Sequence, residues 1–316
     1  MVIVYPFKGC EYMTISLDRS AIDMILGAWN NRSNNFAQLY GHSAFQNLLR
    51  HAQDFQKKCI SPEEYLHTLL HVNNIDMRQH RTEIVRNLNY ISEVDLSRIC
   101  SDTADFLPEE VSKDIGNIRV VPFIGIGGLA IGDCVFIDPS PCPWFPEDGS
   151  NRQNYIEKYI YPTLRHELHH IGYSRIRVSP PISEINTLSE LAMDFALQIQ
   201  MEGGAMLCQN KQCDGNCTEE KNRQALRSLR WCRNIIDSWI KTENHPIDDA
   251  SMETYFSLWK NDKPVYWLGE MLCSLLIQSG KVKSVGECMM LDPLSMIDMA
   301  YSIIDTQESC NLPPLP

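Results

Sequence analysis

Five consecutive residues, His166-Glu167-Leu168-His169-His170, hold the densest set of chemically active side chains in the sequence. On a helix, side chains at i and i+4 lie one turn apart on one face. His166 and His170 could therefore both reach one divalent ion at roughly 2.0–2.1 Å. Glu167 sits beside the first imidazole without being forced to ligate, which leaves it free to take a proton from water activated at such an ion. His169 projects from the opposite side and reads as a solvated residue or as support for a ligand.

The elements that must position these groups are legible as periodic patterns. Ile156, Ile160, Leu164, Leu168 and Ile171 mark an apolar stripe and predict a helix over about 153–173. Counted from Ile156 at 100° per residue, His166 falls at about −80°, His170 at about −40° and Glu167 at about +20°. Two imidazoles and a carboxylate at the edge of a buried face are costly unless something compensates them, and a divalent ion would. A second helix is predicted over about 182–208 and offers two carboxylates as a third ligand. Nineteen residues separate His170 from Glu190, which is followed by Asp194. Glu202 stands in Met201-Glu202-Gly203-Gly204-Ala205-Met206. Twelve residues of helix put the two glutamates about 18 Å apart, so they cannot serve the same ion. The apolar positions of this helix, Leu188, Ala192, Phe195, Ile199 and Met206, cluster between about 280° and 340°. Glu202 falls at about 260°, on the edge of that face, against about 140° for Glu190 and about 180° for Asp194. Geometry thus favours Glu202 and leaves Glu190 as the alternative. The adjacent glycines would permit close approach to the metal helix.

His-Glu-Leu-His-His-Ile-Gly-Tyr, followed by a helix ending Gln-Ile-Gln-Met-Glu-Gly-Gly-Ala, resembles the bacterial domains of unknown function described as zinc-dependent peptidases of the gluzincin type. The Glu190 spacing is similar to that of thermolysin, and the Glu-Gly-x-Ala segment to that of the aminopeptidase branch of the gluzincins. The resemblance extends to the N-terminal helices, to the Gly-rich strand pair before the metal helix, and to Tyr266-Trp267-Leu268-Gly269. It implies an α+β, mainly helical chain with a zincin-like fold and a small sheet before the metal helix. It also implies one zinc ion held by His166, His170 and Glu202, with Glu167 as general base and a peptide or protein as substrate. The strand at 130–137 would be the one against which an extended peptide lies. Tyr173 and Tyr266 are candidates for stabilising an oxyanion, although each also reads as a packed aromatic. Two other readings use the same residues. One is a deformylase-like amidohydrolase, for which Cys208 would supply the third ligand. The other is a non-catalytic metal-binding scaffold, against which the intact Glu167 argues.

The remainder of the sequence reads as scaffold. Helical spacing predicts helices within 20–29, 45–55, 75–91 and 94–106, and Ser61-Pro62-Glu63-Glu64 has the composition of a capped helix start. From Asn117 the texture changes to β-branched residues, and 118–126 and 130–137 read as two strands of a hairpin. Pro122 suggests an edge position for the first of them. The expected organisation is a helical part over 1–115, a catalytic part over 116–310 and a loose tail over 311–316. Cys208, Cys213 and Cys217 lack tight C-x-x-C pairing, so a second, structural ion there (with Cys232 as a fourth ligand) is the lesser reading. His67 and His71 form an i, i+4 pair with no acidic partner and read as surface residues. With 28 Lys plus Arg against 40 Asp plus Glu, the net charge of −12 repels phosphate backbones and anionic lipids. Neither nucleic acid nor a membrane is an expected partner. The lack of a leader-like start and the 12 dispersed cysteines point to a cytoplasmic protein with reduced thiols.

Overall fold

The computed structural model describes residues 14–33, 35–56, 60–72, 75–112, 116–141, 151–211, 219–242, 244–260 and 264–309. In chain order these form β1 (Thr14–Leu17), α1 (Ser20–Asn30), α2 (Ala37–Tyr40), α3 (Ser43–Gln56), α4 (Pro62–Leu70), β2 (His71–Val72), β3 (Ile75–Asp76), α5 (Arg81–Ser92), α6 (Leu96–Ala104) and α7 (Glu109–Ser112). There follow β4 (Asn117–Pro122), β5 (Gly128–Ile131), β6 (Cys134–Ile137), α8 (Arg152–Tyr155) and α9 (Tyr161–Ile176). The last elements are α10 (Leu188–Asn210), α11 (Glu219–Lys241), α12 (Asp249–Phe256), α13 (Pro264–Gln278), α14 (Val285–Met290) and α15 (Pro293–Ser309). The chain is α+β and mostly helical, as its periodicity predicts. No described helix is long and apolar enough to cross a membrane. Two compact units emerge, one comprising residues 1–103 and 113–171, the other residues 104–112 and 172–316. The change of texture at Asn117 marks the start of β4, inside the first unit.

In the first unit a four-stranded sheet has the order β1-β4-β6-β5. β1 runs parallel to β4, β4 runs parallel to β6, and β5 closes the sheet antiparallel to β6. The expected hairpin is therefore displaced. It joins β5 to β6, not 118–126 to 130–137, and its two-residue loop is Gly132-Asp133. Gly132 has φ 57°, the left-handed backbone that a tight hairpin turn demands at its first central position and that glycine adopts without strain. The segment 130–137 is thus two strands, and β5 is an edge strand of the sheet. Pro122 is not on an edge strand, since β4 lies between β1 and β6. As the last residue of β4, it leaves the next ladder bond to Phe123, whose N–H donates to Ile137 O at 3.0 Å. One face of the sheet sends Val121, Phe123 and Phe136 into a core shared with Ile22, Phe45, Leu48, Ile84 and Leu88. The capping box at α4 forms as its residues predict, with Glu64 N–H donating to Ser61 Oγ at 3.2 Å and Ser61 N–H to Glu64 Oε2 at 3.1 Å.

The second unit is built on α10. Phe195 and Ile199 pack into a core with Ile236, Leu268, Leu272, Leu276 and Met296. A capping box starts α10, where Glu190 N–H donates to Thr187 Oγ1 at 3.3 Å and the Glu190 carboxylate accepts from Thr187 N–H at 3.0 Å. Across the helix, Gly203 meets Gly269 of α13. A Cβ on Gly203 would lie 2.3 Å from the Gly269 carbonyl carbon, and one on Gly269 would lie 2.1 Å from Ile199 O. The close approach expected of this glycine is thus made to α13.

Because the neighbour at that crossing is backbone, it cannot yield. Gly203→Ala should destabilise by about 2–3 kcal/mol. Gly27 in α1 has open space, with no atom within 4 Å, where an added methyl would sit, so Gly27→Ala should stabilise by about 0.5–1 kcal/mol. Urea midpoints of the two variants against the wild type measure this pair of opposite signs.

Candidate metal centre

The helix predicted over 153–173 forms, with detail the periodicity does not contain. Asn151 caps its start, accepting from Asn154 N–H at 3.2 Å. After α8, the segment Ile156–Ile160 takes one π-helical turn, and α9 then continues to Ile176. The five stripe residues Ile156, Ile160, Leu164, Leu168 and Ile171 are all buried. So are Arg165, His166, Glu167 and His169, and His169 has no exposed surface at all. The reading of His169 as a solvated residue is therefore incorrect, because 164–169 and 171–173 are all buried and the helix there is covered on more than its apolar stripe. Around its first turns, Arg165 pairs with Asp102 of α6 at 3.2 Å. Arg98, also of α6, pairs with Glu157 at 3.2 Å and lies 4.5 Å above the Tyr161 ring.

His166 and His170 converge as their spacing predicts. Their Nε2 atoms are 3.0 Å apart, with the ring planes at 84°. Two imidazole nitrogens bound to one tetrahedral ion stand roughly 3.4 Å apart, so this pair is close to chelating geometry. Beside them, Glu167 lies under strand β5. A Cβ on Gly128 would fall 2.6 Å from Glu167 Oε1 and 2.7 Å from Thr163 Cγ2, so only glycine lets the edge strand pass this close to the carboxylate. The loop leading into β5 is tied to Asp138, whose carboxylate accepts from Gly125 N–H at 2.8 Å, Ser140 N–H at 2.8 Å and Gly127 N–H at 3.4 Å. Burial pushes the Asp138 carboxyl up, against the opposing pull of these hydrogen bonds. Sequence reasoning missed Asp138 and the Asp102–Arg165 pair. Each acts through a long-range contact with no local spacing signal.

The structure brings Glu202, not Glu190, to the two histidines. One ligand atom from each of His166, His170 and Glu202 lies within 4.8 Å of the others. This His/His/Glu donor set could hold a metal ion, and among the described residues no other group of three or more His, Cys, Asp or Glu has such spacing. Two neutral imidazoles and a carboxylate suit zinc, and Glu202 is only 6% exposed, as the helical wheel requires. Glu190 is exposed and engaged in capping. Asn186 N–H at 2.8 Å and Thr187 N–H hold its carboxyl below the usual range. Asp194 is buried elsewhere in the second unit, accepting from Ser179 Oγ at 2.6 Å and Tyr255 OH at 2.5 Å.

The remaining sequence candidates play other parts. Tyr173 is 1% exposed and its hydroxyl donates to Gln200 Oε1 at 2.5 Å, so it is a packed aromatic; burial drives its phenol well above the ordinary range. Tyr266 packs, half-buried, against the core of the second unit. Cys208 is buried on α10 and is not one of the three grouped ligands. Cys213 and Cys217 lie outside the described residues. His67 and His71 stack on each other with ring centroids 4.0 Å apart.

The family described as "Putative zinc dependent peptidase (DUF5700)" matches residues 30–297, and the chain belongs to it. No curated protein and no solved structure matches.

Metal content and stability should separate the two glutamates. Glu202→Ala should lose the ion while Glu190→Ala keeps it and lowers Tm. A carboxyl whose folded pKa is depressed contributes stability above its unfolded pKa, about 4.3, and loses that contribution as pH falls through the folded value. The Tm gap between wild type and Glu190→Ala should therefore be constant at neutral pH and close in acid. Calorimetry across pH checks this.

Proposed function

We propose that the chain is a zinc-dependent metallopeptidase of gluzincin type with a zincin-like fold, acting on peptides or proteins in the cytoplasm. The observation that carries this reading is the convergence of His166, His170 and Glu202 beside Glu167, under a sheet edge whose glycine leaves that carboxylate room. His166, His170 and Glu202 would hold the ion. When bound, zinc lowers the pKa of water to about 7 and polarises a substrate carbonyl.

The chain's own groups account for the rest. Glu167 is the general base, taking a proton from the attacking water and handing it to the leaving nitrogen as the amide bond breaks. Its burial beside Gly128 of β5 keeps bulk water from competing for that proton. The outer edge of β5, Gly128–Ile131, offers backbone N–H and C=O groups to an extended peptide, and Gly128 adds no side chain to obstruct it. β6 cannot take this role, since both its edges are paired. The net charge of −12 disfavours a nucleic acid as substrate.

Glu167→Gln should leave zinc near one equivalent per chain and reduce peptide hydrolysis by about 10²–10⁴-fold. Elemental mass spectrometry read beside turnover of a mixed peptide library tests both halves. An equal, zero turnover by wild type and variant would refute the peptidase. Treatment with a chelator should abolish turnover, and stoichiometric zinc should restore it.

A further inference from the structure

We infer that Gln200 and Tyr173 form a positioning pair for the metal ligands, a role beyond binding the ion or the substrate. The inference rests on His166, His170 and Glu202 being the metal site. Tyr173 lies three residues after His170 on α9, and Gln200 lies two residues before Glu202 on α10. Both side chains are buried, Tyr173 at 1% exposure and Gln200 at 0%. Their hydrogen bond, Tyr173 OH to Gln200 Oε1 at 2.5 Å, therefore joins the last turns of the helix bearing two ligands to the helix bearing the third.

The amide is tied at its other end as well. Gln200 Nε2 donates to Cys288 O at 2.8 Å and to Leu291 O at 2.9 Å, the two carbonyls that flank the end of α14. Both acceptors are backbone carbonyls, so they require the NH₂ group to face them. That leaves Oε1 facing Tyr173 and fixes the hydroxyl as donor. One amide thus holds one orientation with three hydrogen bonds to oxygen partners, and Met296 Sδ lies 3.6 Å from the same Nε2. Arg177, one turn beyond Tyr173, repeats the connection by donating through Nη2 to Leu291 O at 2.6 Å and Met290 O at 3.2 Å. α9 and α10 are each fastened to the same turn and to one another.

Apolar packing alone would let two helices slide by fractions of an ångström at little cost, because dispersion contacts are non-directional. A metal site has no such tolerance, since ligand distances must hold within about ±0.2 Å. A buried, fully engaged amide supplies the directionality that packing lacks. Removing the Tyr173 hydroxyl keeps the ring and its contacts and strips only this restraint.

The test compares zinc Kd, by competition with a chromophoric chelator, and the cobalt(II) absorption spectrum in wild type, Tyr173→Phe, Gln200→Met and the double variant. Ile236→Val and Leu276→Ala, buried in the same unit on helices that carry none of the three ligands, serve as stability controls. Tyr173→Phe and Gln200→Met should each weaken zinc binding about tenfold and shift the cobalt spectrum. The double variant should be little worse than Gln200→Met alone, because the two act as one unit. The controls should lower Tm without moving Kd. Unchanged Kd and spectrum in both single variants, or losses that merely follow Tm as in the controls, would overturn the inference while leaving the metal site standing. Wild type that takes up no zinc would remove the metal site itself, and this inference with it.

Discussion

Two imidazoles and two carboxylates gathered largely out of water set the terms for everything around them. Ionised or strongly polar groups lose their hydration when enclosed, and the loss is tolerable only if other charges or donors replace it. His166, Glu167 and His170 occupy one enclosed helix, and Glu202 is deeply buried on another. A divalent ion is the natural compensation for that donor set. Burial of His166, Glu167 and Glu202, each at 6–7% exposure, keeps such a set away from water.

Close backbone approach is the second device, and glycine is its instrument. At Gly128 the sheet edge comes within reach of the Glu167 carboxylate. At Gly203 and Gly269 two long helices cross with backbone against backbone, which lets α10 sit deep in the second core. At that crossing a single methyl group would collide with atoms that have no freedom to move. These glycines matter for the volume they leave unfilled, in contrast to Gly132, which matters for its positive φ.

Directional polar contacts then remove the freedom that packing leaves. Asp138 gathers three backbone N–H groups and fixes the loop feeding β5. The Asp102–Arg165 pair holds the start of α9, and the Tyr173–Gln200 bond with the Arg177 contacts holds its end. Such groups are costly to bury alone, so each is engaged by partners. Together they bracket the short stretch from His166 to His170 at both ends.

What was legible from the amino-acid order was whatever depends on local spacing. The i, i+4 histidines with their adjacent glutamate, the amphipathic helices, and the capping residues at Ser61 all follow from geometry within a few residues, which the chain carries wherever it folds. Even the preference for Glu202 over Glu190 was present as a position on one helix's wheel. The tertiary structure decided matters of distance across the chain. It paired β4 in parallel with β6, enclosed His169, and matched Gly203 to a glycine sixty-six residues on. It also placed Asp138 beneath the loop and set one carboxylate, Glu202, within ligand distance of the two imidazoles. None of these contacts leaves a local periodicity, because a partner far away in sequence constrains only its own environment and not the spacing of its neighbours.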